Sequence, residues 1–279
     1  MNKRIICFIT IAFLVTANFF SGDFTSYEKE LFGQIMDFRL ELKTIKDKNE
    51  TLKTYDEYWK KLNSAEVQTN ITEEMKNIMD NIYISERNGI LKQINPDTDE
   101  MKEQILAQYE KISTQQYDIP VTERNPYLVS SSGDLTTEAM KYLPKTQLLK
   151  QMKQGLELYD EVIKVYPHFS PILSNLGIMA YMTPELMGGN KEKGLKYMED
   201  SYVYSAYDFE KYNYGLMYSQ VLFEEKKFEK SKEVFSTVQK ILPEDEYVQL
   251  TARVNEAGYS LFEYMMHKDK IERKMKKSN

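Results

Sequence analysis

Residues 212–243, YNYGLMYSQVLFEEKKFEKSKEVFSTVQKILP, decide how the chain is read. Setting Pro243 at position 32 of a 34-residue helix–turn–helix unit places Ser219 at position 8, Phe228 at 17, Ser231 at 20, Phe235 at 24 and Val238 at 27. Such a unit needs small side chains at 8, 20 and 27, where its two helices cross closely, a bulky one at 24, and a proline at 32 to end the second helix. Working outward, Pro167 at position 32 puts Gly155 at 20, Tyr159 at 24 and Val162 at 27. The next unit must then begin at Ser170, and Leu176 and Gly177 do fall at 7 and 8. This middle unit departs from strict spacing, because Gly177 and Gly194 stand seventeen residues apart where twelve are expected. The five extra residues enter around Pro184-Glu185-Leu186-Met187-Gly188-Gly189-Asn190. There Pro184 is expected to end a helix, Gly188-Gly189 to permit positive φ, and Asn190 to cap the helix that follows.

Over roughly residues 136–243 these frames resemble the tetratricopeptide repeat family, although none carries tryptophan at position 4. The resemblance implies stacked helix pairs with a concave face that holds peptides or partner proteins. In that family positions 2, 5, 9, 12 and 13 of each first helix line the face, which here include Ser174, Ile178, Tyr181, Met182, Leu216, Gln220 and Phe223. The carboxylate clamp of chaperone-binding relatives needs lysine at 5 and asparagine at 9. Here those positions hold Ser174 and Ile178, then Leu216 and Gln220, so the groove is expected to be apolar and to prefer hydrophobic anchors over an acidic C-terminus. The turn from Pro184 to Gly194 also looks like turns in the T-component that accompanies some tripartite ATP-independent periplasmic transporters. That likeness implies a helical scaffold associating with a solute-binding protein.

Upstream, Phe24, Tyr27, Leu31, Ile35, Phe38, Leu42 and Ile45 fall on one face of a long helix expected to reach about Glu50. Leu52, Tyr55, Trp59 and Leu62 continue the pattern in a second helix. A third is capped by Thr72, carries Met75, Ile78, Met79 and Ile82, and is interrupted at Asn88-Gly89. A fourth, after Asn95-Pro96-Asp97, carries Met101, Ile105, Tyr109 and Ile112. Residues 23–112 thus form a helical N-terminal unit. Between 113 and 135 the periodicity stops amid Ser, Thr, Gln, Pro120, Pro126 and Gly133, the composition of a linker or long loop. Residues 244–279 read as a capping helix through Tyr247, Leu250, Val254, Ala257, Leu261 and Tyr264, followed by a basic tail that frays into solvent.

Residues 1–22 begin with Lys3 and Arg4, continue as an apolar run from Ile5 and end in small residues, as a secretory signal does. The run is shorter than the ~20 residues that span a bilayer, so cleavage and a periplasmic or secreted protein are expected. The one cysteine, Cys7, lies in that leader, which excludes a disulfide framework and Cys-ligated metal from the rest. A formal net charge of −6 argues against a general nucleic-acid binder. There is no phosphate loop, G-x-G-x-x-G, HExxH or G-x-S-x-G, and the two histidines, His168 and His267, share no motif. No cofactor, metal or enzymatic activity is therefore expected.

The expectation is an all-α protein: a TPR-like superhelix with an additional N-terminal helical unit, acting as an exported scaffold for a protein or peptide partner in the cell envelope. The alternative is a small-ligand carrier or transporter accessory, with an apolar molecule in a tunnel between the helical halves. A deep pocket between the halves favours the carrier, and an open groove favours the scaffold.

Overall fold

A computed structural model describes residues 23–95, 98–115 and 120–278. The leader, and with it the cleavage expectation, lies outside the described residues. Thr25 starts α1 (Ser26–Glu41) with a capping box: its hydroxyl accepts from the Glu28 amide, and the Glu28 carboxylate accepts from the Thr25 amide at 2.9 Å. The helix stops well short of Glu50. Asp47 accepts from the Glu50 amide at 2.8 Å and opens α2 (Lys48–Leu62), so the apolar rhythm runs on across a break at Leu42–Thr44. The short α3 (Ala65–Thr69) leads to α4 (Glu73–Ile94), with Thr72 as its cap. Contrary to expectation, α4 passes through Asn88-Gly89 unbroken, since one helical glycine costs only about 1 kcal/mol. α5 (Asp99–Gln115) follows; the first core is centred on α1, α2 and α4, with Phe32, Ile35, Tyr55, Trp59, Met75 and Ile78 buried in it.

The expected linker is a correction. Within it α6 (Pro126–Met140) starts with Asn125 capping the Tyr127 amide and Pro126 at its first turn. It packs against α4 and α5, burying Val129, Ser130, Ser131, Ser132, Leu135 and Ala139. Its inward face is largely hydroxyl. Asn81 donates to Ser131 and Ser132 at 3.3 and 3.1 Å, and Gln108 donates to Asn81 at 2.8 Å. These polar groups are satisfied inside the core instead of at the surface, where their composition would place them.

Seven more helices follow: α7 (Lys145–Val165), α8 (Ser170–Met182), α9 (Lys191–Val203), α10 (Asp208–Glu224), α11 (Phe228–Ile241), α12 (Glu246–Glu256) and α13 (Leu261–Ser278). All regular elements among the described residues are helical, and none of these helices is long and apolar enough to cross a membrane. Close crossings occur where two of the frames put small residues. A Cβ on Gly194 would lie 2.7 Å from the Tyr181 amide nitrogen, and one on Gly177 2.7 Å from the Met198 side chain, so α8 and α9 touch through glycine. In the next pair, the Ser231 hydroxyl donates to the Ser219 carbonyl at 2.7 Å. The turn between α8 and α9 behaves as read: Gly188 has φ +91°, a Cβ on Gly189 would strike the Thr183 carbonyl, and Asn190 accepts from the Lys193 amide at 2.8 Å.

The frame beginning at residue 136 fails. Its first helix would start inside α6 and cross the turn between α6 and α7, and Gly155 meets nothing within 4 Å. The glycine that lets α7 approach is Gly133, whose Cβ would lie 1.9 Å from the Tyr159 hydroxyl. The expected single capping helix is two, broken at Gly258 with φ +85°. The basic segment does not simply fray either: Ile271 is buried, and Glu272 accepts from Tyr264 at 2.6 Å and pairs with Arg253 at 2.8 Å.

One buried carboxylate ties the two halves together. Glu210 on α10 accepts from Tyr127 on α6 at 2.9 Å, from Ser170 on α8 at 2.8 Å and from the Ala206 amide at 2.9 Å. Around it Tyr127 packs on Phe32 with ring centroids 4.4 Å apart, and Arg39 of α1 lies 3.9 Å over the Phe209 ring.

Candidate functional site

The seven residues expected to line a concave groove do not make one surface. Gln220 is fully buried; its carbonyl accepts from the Leu261 amide at 2.8 Å, so it caps α13. Tyr181 is buried against Met198 and Tyr218 and donates to Glu225 at 2.7 Å. Ser174 is buried, and Leu216 packs into the core around Tyr212 and Phe235. Phe223 packs edge-on against Phe228 at 5.0 Å, and Met182 projects into solvent. Ile178 differs, because besides packing against the Tyr181 core it lines a cavity next to α8.

That cavity, about 490 Å³, opens between α6, α7 and α8, with Ser85 of α4 contributing to its wall. Helical spacing builds it. Met152, Gly155, Leu156 and Tyr159 stand at i, i+3, i+4 and i+7 on one face of α7, and Asn175, Ile178 and Met179 at i, i+3 and i+4 on one face of α8. From α6, Asp134 and Glu138 share a face one turn apart. Met152 is 42% exposed and Leu156 36%, large values for apolar side chains on an inward-facing helix, because they border the cavity and not a neighbouring helix. Glycine shapes the floor, since Gly133 leaves room for the Tyr159 hydroxyl, which in turn accepts from the Asn175 amide at 3.4 Å.

Asp134 is the one carboxylate here without an ion pair among the described residues. Its side chain is exposed to solvent by accessible area although protein atoms crowd around it, as for a group at the open side of a concave recess. This enclosure pushes its pKa up to about 6, against the pull of the Arg39 charge and the Asn175 amide, while Glu86 and Glu138 add to the rise. The cations nearby have other partners. Arg39 donates to Glu86 at 2.7 Å, and Lys92 and Lys141 both reach Glu138. The Ser85 hydroxyl, buried and with no hydrogen-bond partner in the fold, completes the polar groups of the wall. Burial likewise holds the Tyr159 and Tyr214 phenols above their ordinary pKa, so both stay neutral.

Such a cavity can enclose a ligand with an apolar body and one polar end. A second recess of about 310 Å³ lies where α1, α2 and α4 meet the start of α12, but its lysines, Lys43, Lys46 and Lys48, face Glu244, Asp245 and Glu246 across it. The histidines stand apart: His168 stacks on Tyr204 at 3.9 Å in the turn before α8, and His267 sits at a kink in α13. Among the described residues no three His, Cys, Asp or Glu side chains converge on a point that could hold a metal. Periodicity along α7 was the one sequence signal for the chamber; Asp134, in a segment read as linker, gave none. No protein-family model, no curated protein and no solved structure matches the chain.

Proposed function

We propose that this is a non-enzymatic exported protein that carries a small, mainly apolar molecule in the chamber between α6, α7 and α8, in the manner of a periplasmic transporter accessory. The observation that carries this reading is the chamber itself: a cavity within the usual range for small-ligand sites, with Met152, Leu156, Ile178 and Met179 in its wall beside polar groups such as Asp134 and Asn175. The glycine crossing of α8 and α9 and the Pro184–Asn190 turn support a TPR-like stack and the likeness to the transporter T-component. The peptide-scaffold reading has less support, because Gln220, Tyr181 and Leu216 are engaged inside the fold and leave Met182 and Phe223 without a continuous apolar groove. A partner protein in the envelope remains compatible with the carrier reading, since cargo has to be received and handed on.

The test is to purify the protein from its own envelope extract, extract it with organic solvent, and identify released molecules and co-purifying proteins by mass spectrometry. A small molecule present in near-stoichiometric amount, and lost in a Gly155→Phe variant that fills the chamber, is the expected result. Release of nothing, together with retention of a peptide by both proteins, would refute the carrier reading.

A further inference from the structure

We propose that the chamber selects an amphipathic organic cation, with its ammonium group on the Asp134 carboxylate and its hydrocarbon part against Met152, Leu156 and Met179. This rests on the carrier reading and adds the class of ligand. Two observations bear on the sign of the charge. First, Arg39 is bonded to Glu86, Lys92 and Lys141 share Glu138, and none of the three lines the cavity, so an anionic headgroup would meet no cation among the described residues of its wall. Second, the charges that act on Asp134 are Arg39 from α1, Glu86 from α4 and Glu138 from its own helix, while α7 and α8 present the neutral Tyr159 and Asn175. Arg39 offsets Glu86, and Lys92 and Lys141 lie on Glu138, so of the two carboxylates in the cavity wall Asp134 is the one without an ion pair among the described residues, and a positive headgroup is favoured beside it.

The apolar part follows from the rest of the wall. Methionine side chains adapt to a hydrocarbon of variable shape, and Met140, Met152 and Met179 are spread over α6, α7 and α8. A strongly hydrated cation such as a bare metal ion would gain nothing from these side chains, and one carboxylate is too few ligands to dehydrate it.

Titration calorimetry of the purified protein with octylamine, octanol and octanoate, each at neutral pH and below its micellar range, separates the possibilities. Octylamine is expected to bind roughly 10-fold or more tightly than octanol, the worth of one charge-assisted hydrogen bond, and octanoate more weakly than either. Asp134→Asn should erase the preference for the amine while leaving octanol unchanged, and Asp134→Glu should keep part of it. Because Asp134 takes up a proton near pH 6, octylamine binding should weaken as pH falls through that value, whereas octanol binding should not. Equal affinity for amine and alcohol, or no effect of Asp134→Asn on a variant with unchanged circular dichroism, overturns the cation inference but leaves the carrier reading intact. Failure of all three compounds to bind overturns both.

Discussion

Replacing Glu210 by alanine removes the acceptor on which three segments converge. Tyr127 from α6, Ser170 from the start of α8 and the Ala206 amide before α10 all donate to it, at 2.8–2.9 Å. The Ser170 bond is fully buried, and the other two are partly so. A buried donor left without its acceptor costs about 1–3 kcal/mol, less where water can reach it, so the variant should lose about 3–5 kcal/mol. Glutamine keeps one carbonyl acceptor but turns an amide N–H toward a donor, so Glu210→Gln should lose about 1–2 kcal/mol.

Because these donors lie on both sides of the junction, the substitution should also change how the chain unfolds. Trp59 is the only tryptophan and sits in the N-terminal core, so its fluorescence reports that half, while far-ultraviolet circular dichroism reports helices throughout. In urea the two probes should give coincident midpoints for the parent chain and separated ones for Glu210→Ala. Adding Tyr127→Phe to Glu210→Ala should cost less than the two single changes summed, since they remove the same bond. Stability within about 0.5 kcal/mol of the parent, as for an ordinary surface change, with both probes still coincident, would refute the view that Glu210 joins the halves.

Two glycines that line the chamber should respond oppositely to alanine. Gly155→Ala meets open space in a helix and should stabilise by about 0.5–1 kcal/mol, whereas Gly133→Ala drives a methyl into the Tyr159 hydroxyl and should destabilise by about 1–3 kcal/mol, both measured by urea titration. Burial alone would raise the pKa of Glu28, but donors from Thr72 and Thr25 together outweigh it and hold the carboxyl below its ordinary value of 4.5. Its contribution is therefore present above pH 4.5 and lost as pH falls through the lower folded value, and Glu28→Gln should flatten that part of the stability–pH curve in thermal melts. Asp134 has the opposite sign. Its folded pKa is raised, so its favourable balance holds below its ordinary 3.8 and is lost as pH rises through about 6; Asp134→Asn should melt higher than the parent at pH 7 and alongside it below pH 3.8.

Where burial is hydrophobic, the elements were legible in advance. Phe32, Ile35, Tyr55, Trp59, Met75 and Ile78 mark inward faces by spacing alone, and Thr72 marked a helix start by its hydroxyl ahead of two acids. The small-residue crossings at Gly177–Gly194 and Ser219–Ser231 were legible because a close approach restricts side-chain size. α6 was not, for a physical reason: its buried face includes Ser130, Ser131 and Ser132, the last two bonded to Asn81, which Gln108 holds in turn. Hydrophobic periodicity cannot detect a core face made of hydroxyls, since the pairing that makes it tolerable comes from Asn81, 50 to 51 residues away in sequence.

The same property concealed the candidate site. A chamber requires helices that stay apart over part of their length, and α6 can stand beside α7 without filling the gap because its exposed side carries Gly133, Asp134 and Thr137 in place of large apolar groups. A leucine at 134 would bury surface against Met152 and Leu156, remove an acid whose ionisation opposes folding, and close the cavity. The residue present instead holds a charge where enclosure disfavours it, with no ion-pair partner among the described residues. Groups that work against folding in this way, gathered around a cavity, are what a binding site leaves in an otherwise well-satisfied helical protein. At Asp134 the stability cost and the proposed ligand chemistry therefore follow from a single arrangement: an unpaired carboxylate in an apolar, partly enclosed space is least favourable when alone and most improved by a cation.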